Sequence, residues 1–315
     1  MRPHLTLAAA SLTLAAILGA CTPGIEKDDQ AGPPLIRLAP ESMDAYPILI
    51  GEIRAAALRD GAMSGVPNDN KILGVGQTPE AVAAVLTANG LPGDSFDLSI
   101  QPLLVRDGQR FVLIDAGGGA SMGATAGKLP ASLRAAGVLP DQITDVLISH
   151  GHGDHLAGLV TGAGELTFPN ATIRMAAAEW AAIQAQAQLA ALVTAITPKV
   201  QTFQPGATVT PSITAVAIEG HTPGHMGYQI ASGQDRLLYI GDTMHHHVVS
   251  VQRPDWRIAF DGMPPMATAS RQALLERAAS ENLRLYAVHF PYPGIGRIQR
   301  RGDGFAWVPE GAAPR

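Results

Sequence analysis

The chain has 315 residues, of which 46% are hydrophobic and 16% are charged, and its formal net charge is −5. This composition is typical of a globular protein that can bury a core, and it excludes a fibrous or disordered chain. The lack of a cationic excess argues against nucleic acid as the main partner. Ten histidines accompany a single cysteine. The chain can therefore form neither an internal disulfide nor a thiolate metal cluster, and a bound metal would need imidazole and carboxylate ligands.

The N-terminus resembles the signal peptide of a bacterial lipoprotein. Residues 1–20 have a short basic start and an apolar run that is too short to span a bilayer. The run ends in Leu18-Gly19-Ala20-Cys21, which is similar to a lipobox, where cleavage precedes a cysteine that becomes acylated. The alternative is ordinary signal cleavage that leaves a free thiol at Cys21. The first interpretation predicts residues 21–40 as a flexible tether and residues 41–315 as the folded domain.

The lipobox also predicts where the protein resides. Acyl chains on Cys21 would hold the protein on a membrane surface without spanning it. We therefore expect a periplasm-facing protein of the bacterial cell envelope. Thr22 rather than Asp follows the cysteine, and this favours the outer membrane over the inner membrane.

The first half of the domain combines strands with two helices. Strands are predicted at 46–53, 55–58, 98–105, 110–115 and 145–149, and helices at 78–89 and 129–136. Thr78 suits the N-cap of the first helix, Pro79 its first position and Gly90 its end. The turn Asp107-Gly108 joins two of the strands in a predicted hairpin.

The second half repeats this pattern of strands and helices. Strands are predicted at 171–175, 213–218, 237–240 and 283–288, and helices at 178–194 and 267–279. Two β-rich halves, each accompanied by helices, would fit two sheets packed face to face with helices outside. The predicted fold class is therefore α/β, a four-layer αββα sandwich.

A cluster of metal-binding side chains directly follows the strand at 145–149. In His150-Gly-His152-Gly-Asp154-His155, four potential ligands lie within six residues. No regular helix or strand directs four such side chains to one place. A tight loop can do so, because Gly151 and Gly153 tolerate unusual φ and ψ angles and close backbone approach. The alternative is a polar surface turn, in which three histidines and an aspartate are rare.

Three more candidates follow later strands. His221 lies in Gly220-His-Thr-Pro-Gly-His225, Asp242 follows the strand at 237–240, and His289 follows the strand at 283–288. Each residue alone would be an ordinary turn or cap residue. Together with the histidine cluster, they favour a metal site built from strand ends.

This ordered pattern resembles the metallo-β-lactamase superfamily from about residue 46 to the C-terminus. The resemblance implies one metal ion held by His150, His152 and His221, a second held by Asp154, His155 and His289, and Asp242 as a bridge. Asp115, in Leu-Ile-Asp-Ala-Gly, matches a family acid that supports the ligand loop without binding the metal. Two divalent ions are expected, with Zn²⁺ favoured by the imidazole and carboxylate ligands.

The ligand types indicate hydrolysis. Two metal ions about 3.5–4 Å apart can share a hydroxide that attacks an acyl carbon or a phosphorus. The candidate catalytic residues are Asp242, which would set the metal separation, and Asp154, which could accept the proton of the hydroxide. The chain contains no G-x-S-x-G nucleophile motif, and this chemistry needs no protein nucleophile.

Within the superfamily, the chain resembles the methyl parathion hydrolase-like group and the related quorum-quenching lactonases. The segments that carry this resemblance are Leu133–Gly137 with Pro140, Phe168–Ala171, Phe290–Gly296 and Gly304–Pro309. The resemblance implies a small-molecule substrate and suggests a homodimer. The alternatives are a glyoxalase II-like thioesterase and, in a different class, a non-catalytic metal-binding lipoprotein.

The predicted substrate pocket departs from that group. The group lines its pocket with aromatic side chains, whereas this chain is only 5% aromatic. Met122 stands where a phenylalanine is expected, and Trp180 lies close to an expected tryptophan. His245 opens a triplet of histidines after Asp242 and would contact the substrate, or else belong to a polar loop. These departures favour an ester or lactone over a phosphotriester.

Overall fold

The computed structural model describes Met1 and residues 44–310. The rest of the predicted signal peptide, Cys21, the tether and the domain start at residue 41 lie outside the described residues.

The described chain consists of short strands and helices in alternation. The strands are β1 (Ala45–Ile50), β2 (Ile53–Leu58), β3 (Gly61–Pro67), β4 (Leu73–Val75), β5 (Ser95–Ile100), β6 (Leu103–Asp107), β7 (Arg110–Ile114), β8 (Asp145–Leu147), β9 (Thr172–Ala176), β10 (Val200–Phe203), β11 (Thr208–Thr210), β12 (Ile213–Ala217), β13 (Met226–Ser232), β14 (Asp235–Tyr239), β15 (Arg257–Ile258), β16 (Arg284–Tyr286), β17 (Ile295–Arg301) and β18 (Gly304–Pro309). The α-helices are α1 (Pro79–Thr87), α2 (Leu129–Ala135), α3 (Gly153–Leu156), α4 (Ala177–Gln184), α5 (Ala190–Ile196), α6 (Val249–Gln252) and α7 (Pro264–Ser280). Among the described residues, no helix has the length and apolar character needed to cross a membrane.

Two seven-stranded mixed sheets form the centre of the fold. The first has the order β1-β2-β6-β7-β8-β9-β10, and the second has the order β11-β12-β13-β14-β16-β17-β18. Buried side chains from both sheets, among them Leu103, Ile114, Tyr228 and Tyr286, form one continuous core. Removal of these apolar side chains from water holds the two sheets together.

Helices cover the outer faces of both sheets. Leu133 of α2 and Ile183 of α4 pack on the first sheet, together with Ile196 of α5. Leu274 and Leu275 of α7 pack on the second sheet. These layers confirm the predicted αββα sandwich.

A smaller lobe lies beside the sandwich. It combines α1 and α6 with the strand pairs β3–β5 and β4–β15 around a core of its own that includes Leu73 and Leu86. The predicted cap of α1 is present, since the Thr78 side chain accepts a hydrogen bond from the backbone N–H of Ala81.

Several sequence predictions of secondary structure were wrong in their extent, among them the strand at 46–53, which ends at Ile50 before a turn into β2. Residues 98–105 do not form one strand, because the chain leaves β5 at Gln101-Pro102 and enters another sheet with β6. Pro102 cannot donate a ladder hydrogen bond, and the buried Gln101 side chain instead donates to the carbonyls of Ala287 and Phe290. The helix predicted at 178–194 ends at Gln184 and resumes at Ala190, although its residues favour a continuous helix.

Several strands were missed. Among them are β13, β17 and β18, which complete the second sheet. β13 carries buried apolar residues at every second position, Met226, Tyr228 and Ile230, so its alternation was a sequence signal that the prediction overlooked.

Candidate metal centre

The segments that carry the candidate ligands meet where neighbouring strands end. The histidine cluster follows β8, His221 follows β12, Asp242 follows β14 and His289 follows β16. Because β14 and β16 are parallel neighbours, their carboxyl ends bring Asp242 and His289 together.

The histidine cluster differs in two respects from the predicted loop. Asp154 and His155 lie in the single-turn helix α3, which begins directly after His152. Neither Gly151 nor Gly153 has a positive φ. Gly151 is required by space instead, since a Cβ there would lie 2.6 Å from Cγ1 of Ile183.

Four of the candidates form a first group of ligand atoms. His150 Nε2 and His221 Nε2 each lie 3.0 Å from Nδ1 of His152. Asp242 Oδ2 lies 3.5 Å from His150 Nε2 and 3.3 Å from His221 Nε2. One ligand atom from each of the four residues lies within 4.8 Å of all the others.

The remaining candidates form a second group on the other side of Asp242. His155 Nε2 and His289 Nε2 each lie 3.5 Å from Oδ2 of Asp154. Both nitrogens also lie 3.1 Å from Oδ1 of Asp242. The two carboxylate oxygens of Asp242 therefore face different groups, which is the arrangement of a bridging ligand. The structure brings all seven predicted ligands together.

Outer hydrogen bonds orient three of the imidazoles. Nδ1 of His289 donates to the carbonyl of Ser99 at 2.7 Å, and Nδ1 of His155 donates to Asp115 at 2.7 Å. Nδ1 of His221 similarly faces Asp261 at 3.0 Å. Because a carbonyl only accepts hydrogen bonds, the Nε2 lone pair of His289 is left for the site, and the carboxylates act in the same way on the other two rings.

Asp115 lies directly behind the ligands and accepts several hydrogen bonds there. Besides His155, its carboxylate accepts hydrogen bonds from the backbone N–H and hydroxyl of Ser149 and from the hydroxyl of Tyr239. The Ser149 hydroxyl lies 3.0 Å from Nδ1 of His150. Asp115 thus contacts one group directly and reaches the other through Ser149.

The burial and charge of the site fit divalent cations. Among the described residues, the buried Nε2 of His155 and Oδ1 of Asp242 have no hydrogen-bond partner. Burial raises the pKa of Asp242, but the surrounding histidines outweigh it and hold this pKa well below its usual range. A buried, ionised carboxylate needs positive charge beside it, which protonated imidazoles supply without a metal and divalent cations would supply once the neutral imidazoles bind them. Imidazole nitrogen and carboxylate oxygen are ligands that suit Zn²⁺.

His225 supports the site but has no role in the sequence prediction. Its Nδ1 donates to the carbonyl of Ile218 at 2.8 Å, and its Nε2 accepts the backbone N–H of Asp242 at 2.9 Å. Burial, followed by the nearby His221, lowers the pKa of His225 to about 4. Its position as the second histidine of Gly-His-Thr-Pro-Gly-His was the sequence feature that could have identified it as a supporting residue.

Sequence analysis also missed an ion pair behind His221. Asp261, whose Oδ1 faces His221, accepts a second hydrogen bond on Oδ2 from the buried Arg271 at 2.7 Å. Arg271 lies in α7. A lone arginine in a helix normally faces solvent, so the sequence contains no signal for this pair.

A cavity of about 340 Å³ opens over the two groups. Its lining residues are Met63, Met122, His152, Gly153, Asp154, Asp242, His245, Phe260 and His289. Two predicted pocket residues, Met122 and His245, are among them. Trp180 is not among them; it lies in α4 and packs against the core on the outer face of the first sheet. Met63 and Phe260 were not predicted.

Comparison with known families agrees with this geometry. Residues 97–289, more than half of the chain, match the metallo-beta-lactamase superfamily. The chain belongs to this superfamily. No curated protein matches the chain.

Several solved structures share this fold over most of their length. The dizinc quorum-quenching lactonase AidC is 28% identical with a TM-score of 0.80, covering 86% of this chain and 98% of its own. The hydrolase AbOPH is 26% identical with a TM-score of 0.78, covering 87% and 100%. A probable metal-dependent hydrolase from Staphylococcus aureus, 21% identical with a TM-score of 0.70 and covering 85% and 100%, shares the fold.

Proposed function

We propose that the protein is a dinuclear metal-dependent hydrolase that cleaves an ester or a lactone. The observation that carries the proposal is the position of Asp242, whose two oxygens face two separate groups of ligand atoms. Two divalent ions bound there supply Lewis-acid polarisation of the substrate and activation of water near neutral pH.

The residues of the site divide the remaining work. Asp242 holds the two groups at a fixed separation, and the hydrogen bond from its backbone to His225 fixes its own position. Asp154 is partly exposed toward the cavity, where its carboxylate is placed to accept a proton from the attacking water. The outer hydrogen bonds to Asp115, Asp261 and Ser99 keep the imidazoles aligned, so the site needs little reorganisation during the reaction.

The cavity supports a small neutral substrate. Met63, Met122 and Phe260 form apolar walls, while the ligand groups form the floor. This lining suits an uncharged carboxylic ester that carries an apolar substituent. AidC, which is similar over most of the chain, is a lactonase. A glyoxalase II-like thioesterase is the second candidate, because the same ligand set serves thioester hydrolysis.

An Asp242→Ala variant tests the proposed dinuclear metal mechanism. We expect it to lose hydrolytic turnover by more than about 100-fold and to bind less metal, because both groups lose a ligand. Elemental analysis and initial rates measure the two effects. Asp235→Ala, at the exposed start of β14, the strand that precedes Asp242, is the matched control. Full turnover by metal-free Asp242→Ala protein would refute the mechanism. Wild-type protein that is purified with less than one metal ion per chain would favour the alternative of a non-catalytic lipoprotein.

A substrate panel tests the bond that is cleaved. Rates for lactones, aryl esters, phosphotriesters and glutathione thioesters should be highest for one of the first two classes. A preference for glutathione thioesters would favour the thioesterase instead.

We also propose that His245 contacts the bound substrate. Its side chain is 1% exposed and its Nε2 lies 3.1 Å from Oδ2 of Asp242, while its buried Nδ1 has no hydrogen-bond partner among the described residues. An unsatisfied buried polar group costs about 1–3 kcal/mol, so a partner supplied by a ligand would recover this free energy. The His245 ring lines the cavity and stacks on His289 at 5.2 Å.

His245→Phe should separate substrate contact from metal binding. We expect kcat/KM to fall by about 10- to 100-fold, because one hydrogen bond to a polar group is lost, while metal content stays unchanged. Loss of metal in this variant would identify His245 as a ligand, and unchanged kinetics would leave it without a role.

We propose further that acylation of Cys21 anchors the protein at the periplasmic face of the outer membrane. Cys21→Ser protein should move from the membrane fraction to the soluble periplasmic fraction of a Gram-negative host. If the wild type and the Cys21→Ser protein are found in the same fraction, the proposed lipid anchor is wrong. The homodimer stays a prediction, and light scattering of the purified protein tests it.

A further inference from the structure

Two ligand-bearing loops of the site rest on one buried carboxylate. Glu179, in the first turn of α4, is only 2% exposed. Its Oε1 accepts the backbone N–H of Gly151 at 2.7 Å. Its Oε2 accepts the hydroxyl of Thr222 at 2.7 Å and the backbone N–H of Gly224 at 2.8 Å.

Two of these three donors lie next to metal ligands, and the third, Gly224, lies in the same loop as His221. Gly151 separates His150 from His152, and Thr222 directly follows His221. Glu179 therefore joins the two loops that carry all three histidines of the first group. The first of these loops continues into α3, where Asp154 and His155 are held by the helix and by the hydrogen bond of His155 to Asp115. Glu179 does not contact any ligand side chain directly.

Close packing against α4 restricts the movement of the two loops that contain Gly151 and Gly224. A Cβ on Gly224 would lie 2.3 Å from the backbone nitrogen of Glu179, and a Cβ on Gly151 would lie 2.6 Å from Cγ1 of Ile183. Both loops therefore touch α4 directly, and the carboxylate between them determines how far apart they lie.

The second group is held by different contacts. His155 is oriented by Asp115, and His289 by the carbonyl of Ser99. The backbone near His289 is held by Gln101, which donates to the carbonyls of Ala287 and Phe290. Glu179 takes part in none of these contacts.

We propose that Glu179 is a positioning residue that sets the metal affinity of the first group, His150, His152 and His221, and leaves that of the second group unchanged. The inference rests on the proposed dinuclear site. Replacement of a residue that orients metal ligands typically weakens metal binding by about 10- to 100-fold.

Titration of metal-free protein with Co²⁺, followed by visible absorption, tests the proposal without an activity assay. Glu179→Gln replaces one acceptor oxygen by an N–H₂ group that faces N–H donors. We expect one of two Co²⁺ binding steps to weaken by about 10- to 100-fold and the other to change less than about twofold. His289→Ala, which removes a ligand of the second group, identifies the step that belongs to each group.

Two further variants control for a general loss of stability. Asp60 is also buried and also accepts three hydrogen bonds, in its case from the backbone N–H groups of Gly118, Gly127 and Leu129, but its loop carries no ligand. Asp60→Asn should therefore leave both Co²⁺ steps unchanged. Thr222→Val removes only one of the three hydrogen bonds of Glu179 and should weaken the Co²⁺ step of the first group by a smaller factor. If Glu179→Gln does not fold, this variant tests the role of Glu179 in its place.

The outcomes separate this inference from the proposed function. Two Co²⁺ steps in the wild type with unchanged steps in Glu179→Gln and Thr222→Val would overturn the role of Glu179 alone. Equal weakening of both steps would also overturn it. A wild type that binds no Co²⁺ would overturn the dinuclear site and the inference together.

Discussion

His225 illustrates how one residue can position a ligand without touching the metal. Its ring is saturated by hydrogen bonds to Ile218 on one side and to the backbone of Asp242 on the other. Gly241 precedes Asp242 with φ +50°, and a Cβ at this position would lie 2.4 Å from Nε2 of His225. Since only glycine fits both restrictions, the bridge is held at a single position.

His225→Leu should lower both stability and metal content. The variant leaves the backbone N–H of Asp242 unsatisfied, which costs about 1–3 kcal/mol of unfolding free energy. Urea unfolding measures this loss, and elemental analysis measures the metal. His225→Gln keeps a donor and an acceptor, so its unfolding free energy and metal content should lie between those of the wild type and those of His225→Leu. A His225→Leu protein that matches the wild type in both measurements would contradict this account.

The element that places the histidine cluster is β8, which is only three residues long. Asp145 at its start is buried and receives hydrogen bonds from Arg110 of β7 at 2.8 Å and Arg174 of β9 at 2.9 Å. The carboxylate thus joins three parallel neighbours whose register determines where His150 emerges. Short strands need such fixed points, because few ladder hydrogen bonds hold them.

Asp145→Asn should destabilise the fold in a pH-dependent way. Burial raises the pKa of Asp145, but the hydrogen bonds from Arg174, Arg110 and Thr144 outweigh it and lower the pKa below 3.8. A carboxylate with a lowered pKa stabilises the fold above its ordinary pKa, and this contribution disappears as the pH falls. We expect a loss of about 1–3 kcal/mol at pH 7 that shrinks below pH ~4.

Urea unfolding across this pH range checks the prediction. The exposed Asp303 provides the control, since Asp303→Asn should change little at any pH. A destabilisation by Asp145→Asn that stays constant into acid would show that the charge of Asp145 is not responsible.

The site joins the two halves of the molecule. The histidine cluster follows a strand of the first sheet, whereas His221, Asp242 and His289 follow strands of the second. Metal ions bound at both groups would therefore link the two sheets across their shared core. Binding to the folded state alone stabilises that state by mass action.

Metal removal should therefore destabilise the entire fold. At a free metal concentration of about 100 times Kd, each bound ion contributes about 2.7 kcal/mol. We expect chelation to lower the Tm by several degrees, and added Zn²⁺ to restore it. Calorimetry of Asp242→Ala should show a smaller difference between the two conditions. A wild type with the same Tm with and without metal would argue against ions that link the sheets.

Local sequence patterns predicted much of the fold. The cap and proline of α1, the Asp107-Gly108 hairpin and the apolar strands of the central core act over a few residues, and all are present. The break between α4 and α5 and the change of sheet at Gln101-Pro102 depend on packing against distant segments. No local pattern reports such contacts.

The same division applies to the candidate site. The order and spacing of His150, His152, Asp154, His155, His221, Asp242 and His289 indicated the ligands, because this chemistry needs those residue types. The resemblance suggested one support, Asp115, and the tertiary structure added His225, Asp261 with Arg271, and Glu179, whose hydrogen bonds form only after folding. The cavity walls follow the same rule, since Trp180 lies in the outer core while Met63 and Phe260 reach the pocket. A ligand is recognisable from its own chemistry, whereas a supporting residue is defined by the atoms that folding places beside it.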